Sequence, residues 1–334
     1  MNASCARLDN FFSEYDRPDG PGASVMLIDH GEIAFSAGYG LANLEEKIAC
    51  AIDTNFRLAS LTKQLTAMAI LLLVQQSKVS LEARLTDFFP ELTGSSRGII
   101  LRQLLNHTSG LLDYEDQIPA GTATPLVDRD VLNLLCQQTT TYFPPGTQFR
   151  YSNSGYALLA LVVQACSGES FARFLKQQIF APLKMSGTVA YEAGISVVSN
   201  RAYGYSGAGQ GWVRTDQSLT SAVLGDGGIY SSVADLYRWD QALYTAELVE
   251  PALLELAFTS STAADRPDTG YGFGWYIGQY RGLKEIWHYG NTIGFTTRIA
   301  RFPEKQFTII ILANRNEAPL GELLRRVEEA CLLG

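Results

Sequence analysis

Long hydrophobic runs, basic stretches, histidine and paired cysteines are what this sequence has least of. Its longest uninterrupted apolar run, Ala67 to Val74, falls far short of the roughly 20 residues a membrane-crossing helix needs, so no membrane span is expected. Basic residues are outnumbered, 26 lysines and arginines against 34 aspartates and glutamates, for a formal net charge of −8. Without a basic stripe there is no electrostatic footprint for a phosphate backbone, and nucleic acid is excluded as the default partner. The five cysteines (Cys5, Cys50, Cys136, Cys166, Cys331) are scattered, odd in number and free of metal-type spacing, which suits reduced thiols in a cytoplasmic chain. The opening M-N-A-S-C-A-R-L-D-N-F-F has no basic segment leading into an apolar one and does not read as a secretory signal; an exported chain trimmed of its leader would read the same.

What is present is the composition of a soluble globular protein. With 334 residues, 46% hydrophobic and 18% charged, the chain can bury a large core as one domain or two intimately packed ones. From Ala3 to Tyr15 the apolar residues Leu8, Phe11, Phe12 and Tyr15 line one face of a helix. Two strand-like runs follow, A-S-V-M-L-I-D and E-I-A-F-S-A-G-Y-G, joined at His30-Gly31 as a tight hairpin, so His30 is read as an exposed turn residue. Near the other end Y-G-F-G-W-Y-I-G, K-E-I-W-H-Y, F-T-T-R-I-A-R-F and F-T-I-I-I-L-A are strand-like, and their short linkers permit only antiparallel neighbours. A closing helix, Leu320 to Leu333, carries Leu323, Leu324, Val327 and Ala330 at helical spacing. The middle is helical in period and interrupted by loop signals. The expected fold is therefore α/β of the α+β type: an antiparallel sheet built from both chain ends (residues 1–60 and 255–334), flanked by helices, with a mainly helical region (61–254) inserted.

Three short motifs could carry chemistry. In R-L-A-S-L-T-K-Q-L-T-A-M-A-I-L-L-L-V, Ser60 and Lys63 stand three apart at the start of a helix that is apolar all round and hence buried. The free N–H groups and positive dipole end there favour negative charge on Ser60. Read alone, Ser60 is an ordinary helix cap and Lys63 a first-turn charge. Y-S-N (Tyr151 to Asn153) lies between the turn F-P-P-G-T-Q-F-R and another apolar helix. A phenol whose pKa is lowered by a nearby ammonium can serve as the base a serine nucleophile requires. H-Y-G (His288 to Gly290) ends a strand, where glycine lets backbone approach a ligand.

Taken together, S-L-T-K, Y-S-N about ninety residues later and H-Y-G near the C-terminus resemble the family of class C β-lactamases, D-alanyl-D-alanine carboxypeptidases, D-aminopeptidases and β-lactamase-like esterases. The stretches L-L-N-H-T-S-G-L, F-P-P-G-T-Q-F-R-Y-S-N-S-G-Y, G-D-G-G-I-Y-S-S-V-A-D-L and Y-G-F-G-W are similar to that family as well. The resemblance implies a serine hydrolase cleaving an ester or amide through an acyl-enzyme on Ser60, esterase-like first, D-aminopeptidase, carboxypeptidase or β-lactamase second. It implies Lys63 and Tyr151 as the proton-handling pair, Asn153 as a partner of substrate or Lys63, His288 and Gly290 at the third motif, and the backbone N–H groups of Ser60 and Asn291 as the oxyanion hole. No metal or organic cofactor is implied, and the partner is a small ester, amide or D-amino-acid peptide. The sequence departs from the β-lactamase pattern where a lysine and a threonine would face a substrate carboxylate: here stand His288 and Tyr289. Two other readings stay open, a Ser-His-Asp arrangement of Ser60 with His107 and Asp235, and a non-catalytic ligand-sensing domain of the same fold.

Overall fold

The computed structural model describes residues 8–209, 211–260, 264–266, 268–316 and 318–332. Cys5 and the part of the first expected helix before Leu8 lie outside these residues; 8–11 are helical. Strands β1 (Ala23–Asp29) and β2 (Glu32–Tyr39) pair antiparallel from Ala23↔Tyr39 to Asp29↔Glu32. Their turn, His30-Gly31, has φ of 51° and 82°, the left-handed pair whose twist matches that of the strands. His30 is exposed, its ring against its neighbour Asp29 (2.7 Å).

Near the C-terminus β3 (Gly270–Tyr271), β4 (Tyr276–Tyr280), β5 (Leu283–Thr292), β6 (Phe295–Phe302) and β7 (Phe307–Ala313) form the expected meander. Strand β7 pairs antiparallel with β1, closing one sheet in the order β3-β4-β5-β6-β7-β1-β2. The single strand expected over Tyr271 to Gly278 is split. Gly274 turns the chain at φ 78°, and a Cβ there would stand 2.8 Å from the Lys63 carbonyl oxygen. The chain bends so that its backbone can touch the helix that carries Lys63.

The sheet is covered on both sides, which is why β1 and β7 read as continuous apolar runs rather than alternating ones. Val25, Leu27, Ile309 and Ile311 face Leu320, Leu323, Leu324 and Val327 of the closing helix; Met26, Ile28, Ile310 and Leu312 join the larger core of the middle region. That region centres on helices α1 (Thr62–Gln75) and α2 (Asn153–Ser167), both almost wholly buried. It is less purely helical than expected: Phe56–Arg57, Ile229–Ser231 and Val189–Ala190 form a small sheet, and Tyr205–Ala208 pairs with Gly211–Arg214. These pairings are two to four residues long, too short for any period to register. Arg301 of β6 and Asp240 of the helix Val233–Ala242 form an ion pair at 2.6 Å, each side chain 1% exposed. Thr308 of β7 also donates to Asp240, tying that helix to the sheet. No single helix among the described residues is long and apolar enough to cross a membrane.

Candidate active site

Ser60 stands in the single turn Ala59–Leu61 that leads into α1. The preceding Ala59 has φ 50°, a left-handed conformation that costs a residue with a side chain about 1–3 kcal/mol and persists only where its surroundings over-determine it. Here they do. Leu58 N–H donates to Ile229 O (2.8 Å), and Thr297 Oγ1 donates to Leu58 O (2.7 Å). Gly290 packs beneath the same turn: a Cβ on it would lie 2.3 Å from Leu58 O and 2.4 Å from Thr297 Oγ1. Gly290 therefore supports the Ser60 turn from below, where no side chain would fit. Gly290→Ala is expected to push the turn out of place, lowering kcat/KM for an ester at least about tenfold and costing about 1–3 kcal/mol of stability. Steady-state kinetics and a urea melt check both.

Lys63, one turn into the helix system, is fully buried. Its Nζ donates to Ser60 Oγ (3.0 Å), Asn153 Oδ1 (2.8 Å) and the main-chain oxygen of Asp226 (2.9 Å). Three acceptors match the three protons of an ammonium. The Tyr151 and Tyr156 rings lie 5.0 and 5.5 Å from the nitrogen. Burial pulls the lysine pKa down to about 8 against the opposing pull of Asp226, Asp113 and Glu115, so a sizeable neutral fraction exists at mildly alkaline pH. Asn153 opens α2 and is held at three points: Oδ1 by Lys63, N–H on Asp113 Oδ2 (3.1 Å) and Nδ2 on Glu115 Oε1 (2.8 Å). Of the two partners expected for its side chain, the structure shows Lys63.

Tyr151 stands beside Ser60, whose hydroxyl favours its ionised form, although the buried phenol makes no well-formed hydrogen bond among the described residues. Burial raises its pKa well above the ordinary phenol range. The expected phenol with a lowered pKa is thus overturned: desolvation outweighs everything near it, and Tyr151 is a neutral phenol.

His288 does not line the cleft. It is 1% exposed; its Nδ1 meets Tyr289 O (2.7 Å) and its Nε2 meets Tyr271 Oη (2.9 Å). A carbonyl only accepts, so Nδ1 carries the proton and Nε2 accepts from Tyr271. Burial, followed by the Lys63 charge, pushes its pKa down to about 3. Tyr289 stacks with Trp287 and Tyr276. His107 has φ 59° and lies under Tyr151, with ring centroids 4.3 Å apart. Its Nδ1 accepts from the backbone of Ser152 (3.2 Å), and burial keeps it neutral. Asp235 is occupied elsewhere by Gly187, Thr188 and Arg238. Neither reaches Ser60, and the Ser-His-Asp reading fails on geometry.

The cleft at Ser60 is small and is lined by Arg57, Ala59, Glu115, Asn153, Thr220, Asp226, Gly227, Asn291 and Thr292. Asn291, expected from its place after the third motif, is thus brought to Ser60 by β5. Sequence reasoning missed Glu115, Asp226 and Arg57. Glu115 had a legible signal, the acidic D-Y-E-D beside H-T-S-G-L; Arg57 and Asp226 had none apart from nearness to motif residues. The Arg57 guanidinium is held by Gly227 O, Gln217 Oε1 and Ser221 O (3.3, 3.3 and 2.6 Å). Among the described residues no group of three or more His, Cys, Asp or Glu is placed to hold a metal ion.

The family model described as Beta-lactamase matches residues 8–332. The chain belongs to the serine β-lactamase and penicillin-binding protein family. It is 32% identical over 310 residues to penicillin-binding protein 4* of Bacillus subtilis, across 88% of this chain and 68% of that protein. It is 25% identical to protein flp of Staphylococcus aureus (strain MRSA252), across 98% of this chain and 66% of that one. The chain thus spans about two thirds of the length of these curated relatives. Among solved structures, a D-amino acid amidase of Ochrobactrum anthropi SV3 superposes with a TM-score of 0.84 at 26% identity, covering 98% of this chain and 97% of its own. The chain thus shares its fold, an antiparallel sheet with flanking helices, with a family of serine hydrolases.

Proposed function

We propose that the protein hydrolyses small esters and amides through an acyl-enzyme on Ser60. The observation that carries the reading is the 3.0 Å bond between Ser60 Oγ and the fully buried Lys63 amine. In the neutral state that amine takes the hydroxyl proton as Ser60 attacks the carbonyl. The negative charge that develops on the carbonyl oxygen meets the backbone N–H groups of Ser60 and Asn291. Tyr151, a neutral phenol beside Ser60, passes a proton to the leaving group and is reprotonated from Lys63. Water then attacks the acyl-enzyme by the reverse path, releasing the acid and restoring Ser60. Mass spectrometry after exposure to a fluorophosphonate tests the reading: a covalent adduct on Ser60 supports it, and tight reversible ligand binding without an adduct replaces it with the sensing domain.

For the substrate, the cleft favours neutral or amine-bearing molecules over carboxylates. Its lining cation, Arg57, is bonded to protein groups, and Glu115 stands on the rim. A neutral ester ranks first. A D-amino-acid amide, whose ammonium would meet Glu115, ranks second, and a similar enzyme is named an amidase of such compounds. A β-lactam carboxylate finds no lysine at the third motif, since His288 is neutral and sealed, and forgoes a charge-assisted hydrogen bond of about 1.5–3 kcal/mol. We expect kcat/KM for a neutral short-chain ester to exceed that for a cephalosporin at least about tenfold, each tenfold being 1.4 kcal/mol of transition-state preference. Equal turnover in a chromogenic assay would move the protein to the β-lactamases.

A further inference from the structure

The proton path through Ser60, Lys63 and Tyr151 leaves one buried carboxylate unused. Asp226 lies in the short helical turn Leu224–Gly227, and this turn is clamped on every side. Asp128 accepts from the N–H groups of Leu224 and Gly225, both at 3.0 Å. Thr66 of α1 donates to Gly225 O (2.7 Å). A Cβ on Gly225 would lie 2.2 Å from Tyr156 O, so the turn presses directly on α2. The clamp presents two features of Asp226 to the site. Its main-chain oxygen accepts from Lys63 Nζ (2.9 Å), and its buried carboxylate accepts from the Tyr114 hydroxyl (3.0 Å). No lysine or arginine ion-pairs with that carboxylate among the described residues, and one buried hydrogen bond is a thin return for removing a charge from water.

We propose that Asp226 is a positioning residue for hydrolysis: its main chain fixes the Lys63 amine against Ser60, and its buried carboxylate favours the ammonium form of that amine. The proposal rests on the reading of Lys63 as the base. The groups that face Lys63 are Asp226, Asp113 and Glu115 with their charges, and the neutral His107, His288, Tyr151 and Tyr156. Those that face the Asp226 carboxylate are Lys63 from α1, Tyr114 and Glu115 from the turn Tyr114–Gln117, and Asp128 from the helix Asp128–Cys136. Of the charges that raise the lysine pKa, that of Asp226 is the largest. Without it the aromatic, desolvated surroundings act against two flanking carboxylates alone, and the proton leaves at lower pH. The two groups titrate as a pair: burial pushes the Asp226 carboxyl up to about 7 against the pull of Lys63, so it is largely ionised where Lys63 loses its proton, and each favours the charged form of the other.

The sign is decisive. Lys63 accepts a proton only when neutral, so kcat/KM rises with pH through the lysine pKa. Asp226→Asn keeps the shape and the main-chain acceptor but removes the negative charge. It should move that rising limb to lower pH by about one unit or more, as expected for loss of a charge at short range in a partly desolvated site. The measurement is the pH profile of kcat/KM for p-nitrophenyl acetate, with Ser60→Ala subtracted as background. A lower plateau with an unmoved limb would show that Asp226 only braces the turn, and would overturn the proposal. If Asp226→Asn is recovered unfolded, Tyr114→Phe carries the test. It weakens the ionised carboxylate and should move the limb in the same direction by less; an unmoved limb overturns the proposal. Should Ser60→Ala itself retain parental activity, the acyl-enzyme reading fails, an outcome distinct from either limb result.

Discussion

Purified Ser60→Ala should hydrolyse p-nitrophenyl acetate at least about 10³-fold more slowly than the parent, because no other group in the cleft is a serine or cysteine placed against a base. The loss is chemical rather than structural. Ser60 makes no side-chain cap to its helix; its hydroxyl is bonded to Lys63, and removing one acceptor from that amine costs about 1–2 kcal/mol. Circular dichroism and the thermal midpoint should therefore stay near those of the parent. Hydrolysis by the variant at more than a tenth of the parental rate would sink the assignment of the nucleophile.

Lys63→Ala and Tyr151→Phe should each lower acylation by about 10² or more, the size expected of a positioned proton-transfer group. They differ in what they do to the fold. Lys63 satisfies Asn153 and the Asp226 carbonyl, so its removal orphans buried acceptors and lowers the urea midpoint. The Tyr151 hydroxyl makes no well-formed hydrogen bond among the described residues and has Ser60 beside it, so its removal orphans little, and stability should hold to within about 1 kcal/mol while activity collapses. A residue kept for activity rather than for stability shows this pairing of effects. In the double variant the losses should not add, since both groups lie on one proton path. Single-turnover acylation rates measure it, and full independence of the two losses would break the path into separate roles.

Much of this was legible before any coordinates. The His30-Gly31 hairpin followed from turn chemistry, and the meander followed from apolar runs with linkers too short for a crossover. Ser60 and Lys63 shared a face because three residues is less than one helical turn. Missing were features with no local signature. The break at Gly274 exists because distant backbone, at Lys63, comes within contact. The small strands around Ile229–Ser231 are too short to show a period. Asp226 became a site residue only through packing across loops, whereas Glu115 stands in a legible acidic run beside H-T-S-G-L.

The division has a physical cause. Which residues could carry chemistry was determined by the chain itself: side-chain type, spacing along a helix and turn preference are local properties, and they put Ser60 with Lys63 and gave the sheet its strands. What state each group is in was decided by the tertiary structure, because a proton's affinity depends on how much water burial removes and which charges remain near. So the sequence offered Tyr151 as a phenol lowered by an ammonium, whereas folding sealed it and pushed its pKa up, drew Lys63 down to about 8 and His288 down to about 3, and set the unforeseen Asp226 against the base.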